Sequence, residues 1–344
     1  MISRRHFLSA SAGAASALTS NFSPANAQSS QLVVGTWGGD YGQLLSDIVD
    51  KPLIAPKGIE VVQDVANADP RKTKLLAERQ SRRGSMDVAC LSDSDAYIVA
   101  GTNAFEAIDA GKVSRLGKVF PELKTETAIP HIYSAQVILY NTNKVTAPPQ
   151  SYADLWDPKW RGRIGLADIL WSANTIAAAL AGGGSPTNFD PAEKMLMDWR
   201  SLDVKIYPSN EALAAALKSE EVWLSVMWLA RGFMWKKSGI PLSHVVPKEG
   251  TPAIVFEASV PRNARNKEGA FTYLDAMLDP KAQAAFADKM GYVPTVSDAV
   301  LPEDIAQQVS LSEADRSKLV KLDFAYQTER SQRTLDFWNK QFKG

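Results

Sequence analysis

The sequence predicts an α/β protein of two lobes, each a mainly parallel sheet flanked by helices. Three observations carry that expectation. Short β-branched runs alternate with amphipathic stretches from the first segment onward, and the same alternation begins again in the middle of the chain. The 344 residues, 45% of them hydrophobic, suffice for two cores.

Residues 32–36 read as the first strand, and the segment after Asp40, with Leu44, Leu45, Ile48 and Val49, as an amphipathic helix. Residues 59–65 form the next expected strand. A helix should follow with Asp69 as N-cap, Pro70 at its first position and Gly84 beyond its end. Residues 86–91 are the third strand. This β-α-β-α-β opening is the grammar of a parallel sheet covered on both faces.

The second half repeats it, with strands expected at 136–140, 163–168, 204–207 and 222–227. Helices are signalled at 174–180, by Asp190-Pro191 ahead of Met195, Leu196 and Trp199, and by Ser209 ahead of Leu213 and Leu217. Gly182-Gly183-Gly184-Ser185 lacks phosphate-loop spacing and reads as a connector. Residues 253–261 are extended and apolar, Asn266 and Asp279-Pro280 open two helices, and Gly291 stops the second. The stretch 312–342 reads as helical throughout. No internal repeat is present.

Residues 1–27 read as an export signal. Ser3-Arg4-Arg5-His6-Phe7-Leu8 precedes a short Ala/Ser-rich apolar stretch and the A-x-A site Ala25-Asn26-Ala27, the pattern of the twin-arginine route. The mature chain is expected to start at Gln28 and to work in the periplasm. No cysteine follows the apolar stretch, which argues against a lipid anchor, and no other run is long enough to span a bilayer.

Beyond residue 27 the chain carries 36 Lys and Arg against 38 Asp and Glu. That balance offers no reason to invoke nucleic acid or anionic lipid. The basic run 71–83 is interleaved with Leu75, Leu76, Ala77 and Glu78 and reads as a solvated helix face. Cys90 is the single cysteine, so no intramolecular disulfide forms, and its apolar neighbours place it in a buried strand.

Four strand ends carry polar or aromatic groups, and in open α/β sheets the carboxyl ends of strands are where ligands sit. They are Trp37-Gly38-Gly39-Asp40-Tyr41, then Ser92-Asp93-Ser94-Asp95, then Asp168 followed by Trp171-Ser172, then Trp228. Together they propose one cleft; taken singly, Trp37 also suits a core position, and the Ser/Asp cluster also suits a helix cap.

Enzyme signatures are mostly missing. After residue 27 only His131 and His244 remain, in no zinc-ligand spacing, and neither a G-x-S-x-G elbow nor a G-x-G-x-x-G loop follows a strand. The alternative class is a periplasmic hydrolase or lyase using paired carboxylates such as Asp93 and Asp168. No cofactor and no metal is expected.

Residues 151–162, Ser-Tyr-Ala-Asp-Leu-Trp-Asp-Pro-Lys-Trp-Arg-Gly, resemble the spermidine/putrescine-binding family of periplasmic proteins that serve ABC importers. Val226-Met227-Trp228, residues 246–250, Pro261-Arg262-Asn263-Ala264, residues 266–270 and 291–295 agree with it in order. The resemblance covers roughly residues 32–300.

It implies a two-lobe fold in which the chain crosses between lobes near residues 134–137, 257–259 and 295–301. The corresponding division gives 28–136 and 259–297 to one lobe and 137–258 and 298–344 to the other. It also implies a non-enzymatic monomer that passes a small-molecule ligand to an inner-membrane permease and its ATPase. Trp37, Tyr41, Tyr133 and Trp228 match aromatic positions that sandwich a polyamine, and Asp168 falls in an acidic segment that holds its ammonium groups.

Two departures bear on the ligand. Ser94-Asp95 replaces an aromatic pair, and the usual Trp-x-Asp-Ser becomes Ile254-Val255-Phe256-Glu257. A one-residue shift turns a strand side chain to the opposite face, so without a bulge Phe256 rather than Glu257 looks into the cleft. The expected ligand is a polyamine-like amine; the alternative is an amino-acid-like or opine-like compound whose carboxylate is met by Arg231.

Overall fold

A computed structural model describes residues 30–344. The expected export signal and its cleavage site lie outside the described residues.

The strand β1 (Ser30–Thr36) leads into α1 (Gly39–Leu44), which continues as a wider helical turn, Leu45–Ile54, carrying Pro52. Then come β2 (Ile59–Val65), α2 (Ala68–Glu78), β3 (Val88–Ser92) and α3 (Asp93–Ala100). The N-cap of α2 is Asn67, so Asp69 lies in the first turn rather than at the cap expected from Pro70.

The 13-residue β4 (Ile129–Asn141) follows, then β5 (Ile164–Ala167), α4 (Trp171–Ala181), α5 (Asp190–Ser201), β6 (Lys205–Tyr207) and α6 (Asn210–Lys218). Next are β7 (Leu224–Trp228), α7 (Leu229–Lys237), β8 (Leu242–Val245) and β9 (Thr251–Ser259). The chain closes with α8 (Lys267–Met277), α9 (Pro280–Met290), β10 (Val293–Pro294), α10 (Glu303–Val309), α11 (Glu313–Arg316), β11 (Leu319–Val320) and α12 (Phe324–Phe337). Ser209, Asn266 and Asp279 each accept a backbone N–H at the start of their helices, as their side chains predict.

The strand order β2-β1-β3-β9-β4-β7-β5-β6 contains two half-sheets. Strands β2, β1 and β3 run parallel, as do β6, β5 and β7. Two antiparallel strands join them: β4 pairs with β9 over residues 129–135 and with β7 over residues 136–140. One strand therefore serves both halves, and what reads as a five-residue strand at 136–140 is the end of a longer one.

The return through β9 begins sooner than expected. Ala253 already faces Ala135, and Phe256–Ser259 pair with β3, so these residues lie in the first half-sheet. At the junction the Thr251 hydroxyl donates to the Gln136 carbonyl, and Gln136 Nε2 donates to the Ala173 carbonyl at 2.8 Å. These bonds tie both crossing strands to the start of α4.

The stretch 312–342 is not one helix. Leu319–Val320 pairs with Thr251–Pro252 and divides it. Leu75 and Arg71, four apart on α2, are both buried. The basic run is thus not wholly solvated: Arg71 is 1% exposed.

Candidate functional site

Trp37 follows β1, and the chain must turn at once to start α1. Gly39 does so at φ +62°, and Gly42 packs so near the Trp37 carbonyl that a Cβ would lie 2.6 Å from that oxygen. The Trp37 ring meets Tyr41 edge-on at 5.1 Å and Phe256 at 5.2 Å, and Phe256 meets Tyr292 at 5.2 Å. The Arg71 guanidinium lies 4.5 Å from the Trp37 ring centroid. Its Nη1 donates to the Ala66 carbonyl at 2.9 Å, while Nε and Nη2 are buried without a hydrogen-bond partner among the described residues.

Exposure sorts the predicted aromatic residues into two groups. Trp37, Trp228 and Phe256 are half-buried, as is Tyr292, which sequence reasoning did not single out. Tyr41 and Tyr133 are core residues, 6% and 0% exposed. The Tyr41 hydroxyl shares a 2.9 Å hydrogen bond with His131 Nδ1, and burial drives that histidine down to about 3, which keeps it neutral.

The register of β9 decides the second departure. Phe256 sits opposite Ser92 and Ile132, while Glu257 sits opposite Leu91 and Pro130. Opposed side chains share a face and successive ones alternate, so Phe256 joins the Trp37 row and Glu257 turns to the other side. The irregularity between Pro130 and Ile132 falls on β4 and leaves the alternation along β9 intact.

Glu257 is 5% exposed, with no cation or hydrogen-bond donor to its carboxylate among the described residues. Burial, reinforced by Asp93, pushes it up to about 8. Asp93 is itself pushed up to about 7 by burial, although the N–H groups of Val255 and Ser94 donate to it at 3.1 and 2.8 Å. Ser92 caps α3 by accepting the Asp95 N–H at 3.3 Å, and Asp95 pairs with Lys72 at 2.6 Å.

In the second half-sheet, Asp168 follows β5, and its carboxylate is occupied. Trp338 Nε1 and Lys343 Nζ each donate to it at 2.7 Å. Trp171 and Ser172 open α4 and line a cavity of about 160 Å³ together with Ser94 of α3 and Phe324, Gln327 and Thr328 of α12. Three predicted residues from two strand ends meet there. The α12 contribution was not foreseen, and neither was the contact of Phe324 with Tyr97 of α3 at 5.6 Å.

Trp228 ends β7 and precedes α7, whose Ala230 N–H donates to Ser134 Oγ at 3.1 Å. Arg231, in the first turn of α7, is half-buried and has no ion-pair or hydrogen-bond partner among the described residues. Burial raises the Tyr292 phenol, and the Arg231 charge opposes that rise.

Residues 55–312 match the family model of bacterial extracellular solute-binding proteins. A spermidine/putrescine-binding periplasmic protein of Salmonella typhimurium is 27% identical over 267 residues, covering 74% of this chain and 76% of the relative. A gamma-aminobutyric acid-binding protein of Pseudomonas aeruginosa is 22% identical over 305 residues, covering 85% of both. The crystal structure of a spermidine/putrescine ABC transporter substrate-binding protein from Streptococcus pneumoniae shares the fold, with a TM-score of 0.76 at 19% identity over 92% of this chain and 100% of that one.

Proposed function

Because this chain belongs to the bacterial extracellular solute-binding protein family, we propose that it captures a small amine-bearing solute, polyamine-like or amino-acid-like, between two lobes and delivers it to an inner-membrane ABC permease and its ATPase. What supports this reading is the set of half-exposed groups at strand ends of both half-sheets. Trp37 and Phe256 come from the first, Trp228 and Arg231 from the second, and Ser94 shares a cavity with Trp171 and Ser172. The relatives are named for solutes that carry primary amines, and they are transport proteins rather than enzymes.

In this reading the first lobe comprises residues 30–135 and 252–298 and the second the remainder, with crossings in β4, at the start of β9 and after Asp298. The protein acts as a monomer in the periplasm, where named relatives work. Residues 1–27 direct it there by the twin-arginine route, which Arg4→Lys with Arg5→Lys should block. A solute touching both lobes favours the closed state by its differential affinity for it. Small-angle scattering should show a smaller radius of gyration at saturation with a bound amine; an unchanged profile with every solute that binds sinks the two-lobe capture.

A further inference from the structure

We infer that the first lobe carries, at its end away from the cleft, a docking surface for anionic lipid headgroups that holds the exported protein beside the membrane of its permease. The inference takes only the compartment from the importer reading.

The near balance of acids and bases along the chain conceals a local excess of cations. The turn after α2 carries Arg79, Arg82 and Arg83, the segment before α8 carries Arg262 and Arg265, and all five are exposed. Hydrogen bonds lay the two segments side by side. The Gly84 N–H donates to the Asn263 carbonyl at 2.8 Å, Asn263 Nδ2 to the Glu78 carbonyl at 2.8 Å, and Arg265 Nε to the Gly84 carbonyl at 3.0 Å. Arg262 and Arg79 likewise donate only to backbone, the carbonyls of Phe105 and Leu76, and no carboxylate pairs with any of the five among the described residues. Nearby acids are engaged otherwise. Glu78 accepts from Ser85, buried Asp87 accepts the N–H groups of Val33, Arg265 and Asn266, and Glu106 pairs with Lys267. Glu268, exposed on the first turn of α8, is the remaining acid of the two segments.

Such a surface attracts a polyanion, and its composition favours a lipid surface over a protein. Protein interfaces are centred on desolvated apolar or aromatic anchors, and none of the exposed large hydrophobic residues among the described ones lies in either segment. Guanidinium groups are weakly hydrated and meet phosphate oxygens through paired N–H groups. A headgroup layer presents many phosphates in one plane and needs neither an apolar centre nor a pocket. The turn precedes β3, and Asn266 Nδ2 donates to the Gln31 carbonyl near the start of β1 at 3.1 Å, whereas Trp37 and Ser92 mark the other ends of those strands. Lipid contact at the arginines therefore leaves the cleft free to take solute.

The test is cosedimentation of the exported protein with vesicles of phosphatidylglycerol and phosphatidylcholine in equal parts, beside vesicles of phosphatidylcholine alone. Binding to the anionic vesicles only is expected, and it should be lost at about 1 M salt, where the screening length falls to about 3 Å. Arg82→Gln with Arg83→Gln should weaken it about twentyfold, on a scale of about fivefold per charge. Lys218→Gln with Lys248→Gln makes the same change of charge on exposed lysines of the other lobe and should weaken it less than about twofold. Both double variants should keep the parent's melting temperature and solute affinity.

Equal binding to the two kinds of vesicle, or equal weakening by the two double variants, overturns the inference. So does binding to soluble polyglutamate in place of vesicles, which would mark a surface for an acidic protein. Release from vesicles by inorganic phosphate, at an ionic strength where chloride leaves the protein bound, would mark a small-anion site and overturns it too, as does the absence of any vesicle binding. Solute-driven compaction in scattering tests the importer reading separately, and none of these outcomes alters it.

Discussion

Lys343 and Asp168 meet at 2.7 Å, on the same carboxylate that accepts the Trp338 indole N–H at 2.7 Å. Burial pushes that carboxylate up, but Lys343 and Trp338 outweigh it and hold it below the ordinary range. Trp338 is 0% exposed and belongs to the core beneath α4 and α5. The acid that the family resemblance assigns to the ligand thus fastens the C-terminal helix to the strand end that precedes α4.

Asp168→Ala should therefore lower stability by about 1–3 kcal/mol, the scale of a buried donor left unpaired, while shifting solute affinity by less than about threefold. Asp168→Asn should cost less, because an amide oxygen still accepts from Trp338, and the exposed part of the Lys343 pair is worth at most about 1 kcal/mol. Denaturant melts beside calorimetry separate the two effects. A large affinity loss at unchanged stability would return Asp168 to the ligand.

The pair of Asp93 and Glu257 makes stability depend on pH with a definite sign. Their folded values, about 7 and about 8, lie above those of unfolded carboxyls. Between roughly pH 4 and these values the folded state holds protons that the unfolded chain has released, so stability falls as pH rises through that window. Their contribution is full below about pH 4 and lost above about pH 8. Glu257→Gln should flatten this decline and raise the urea midpoint at alkaline pH. A wild-type midpoint that climbs across the window would contradict it.

Much of this placement was legible locally. The strand-end rule located Trp37, Ser94, Trp171 and Ser172, and the caps Ser209, Asn266 and Asp279 marked helix starts, because each depends on a few neighbouring residues. Depth and distant partners were not. Tyr41 and Tyr133 match aromatic positions, but nothing in their spacing says that Phe286 of α9 covers the one and that β9 and β10 flank the other. The partners of Asp168 lie 170 and 175 residues away, in a stretch that reads as plain helix, so its own neighbourhood gives no sign of them. Arg71 did carry a signal, since it shares a helical face with Leu75 at a spacing of four. The charge of the surrounding run masked it.

Gly291 stops α9 at φ +71°, and a Cβ there would lie 2.6–2.7 Å from three Phe233 atoms. Phe233 is on α7, two residues beyond Arg231, and Gly291 precedes Tyr292. Gly291→Ala should cost more than about 1 kcal/mol, from the left-handed backbone and the displaced ring together. It should also weaken solute binding, because the helix that carries Arg231 has to yield. Calorimetry on folded variant at low temperature reads the second effect apart from the first; unchanged affinity would show that Phe233 moves alone.

The last prediction concerns Phe256, which stands where the resemblance has an aspartate. Its ring contacts Trp37 at 5.2 Å, Tyr292 at 5.2 Å and Tyr41 at 6.4 Å, so Phe256→Asp removes the centre of the aromatic row and puts a charge there. Truncating a well-packed phenylalanine costs about 3–5 kcal/mol, somewhat less at a half-exposed site. The new carboxylate would stand next to the Trp37 ring, whose other neighbour is the buried Arg71 guanidinium. It adds an anionic partner for an ammonium group and repels a carboxylate. The preference should then shift toward amines: relative to the parent protein, short carboxylates should weaken by at least about tenfold, and diamines of the same length should bind better. Phe256→Asn serves as the control for packing, because it removes the ring without adding charge, and it should weaken both probe classes to a similar extent. Calorimetry on the parent and both variants, each checked for a cooperative melt, decides the matter. If Phe256→Asp weakens carboxylates and diamines alike, the row is a packing element and the charge around it does not select the solute.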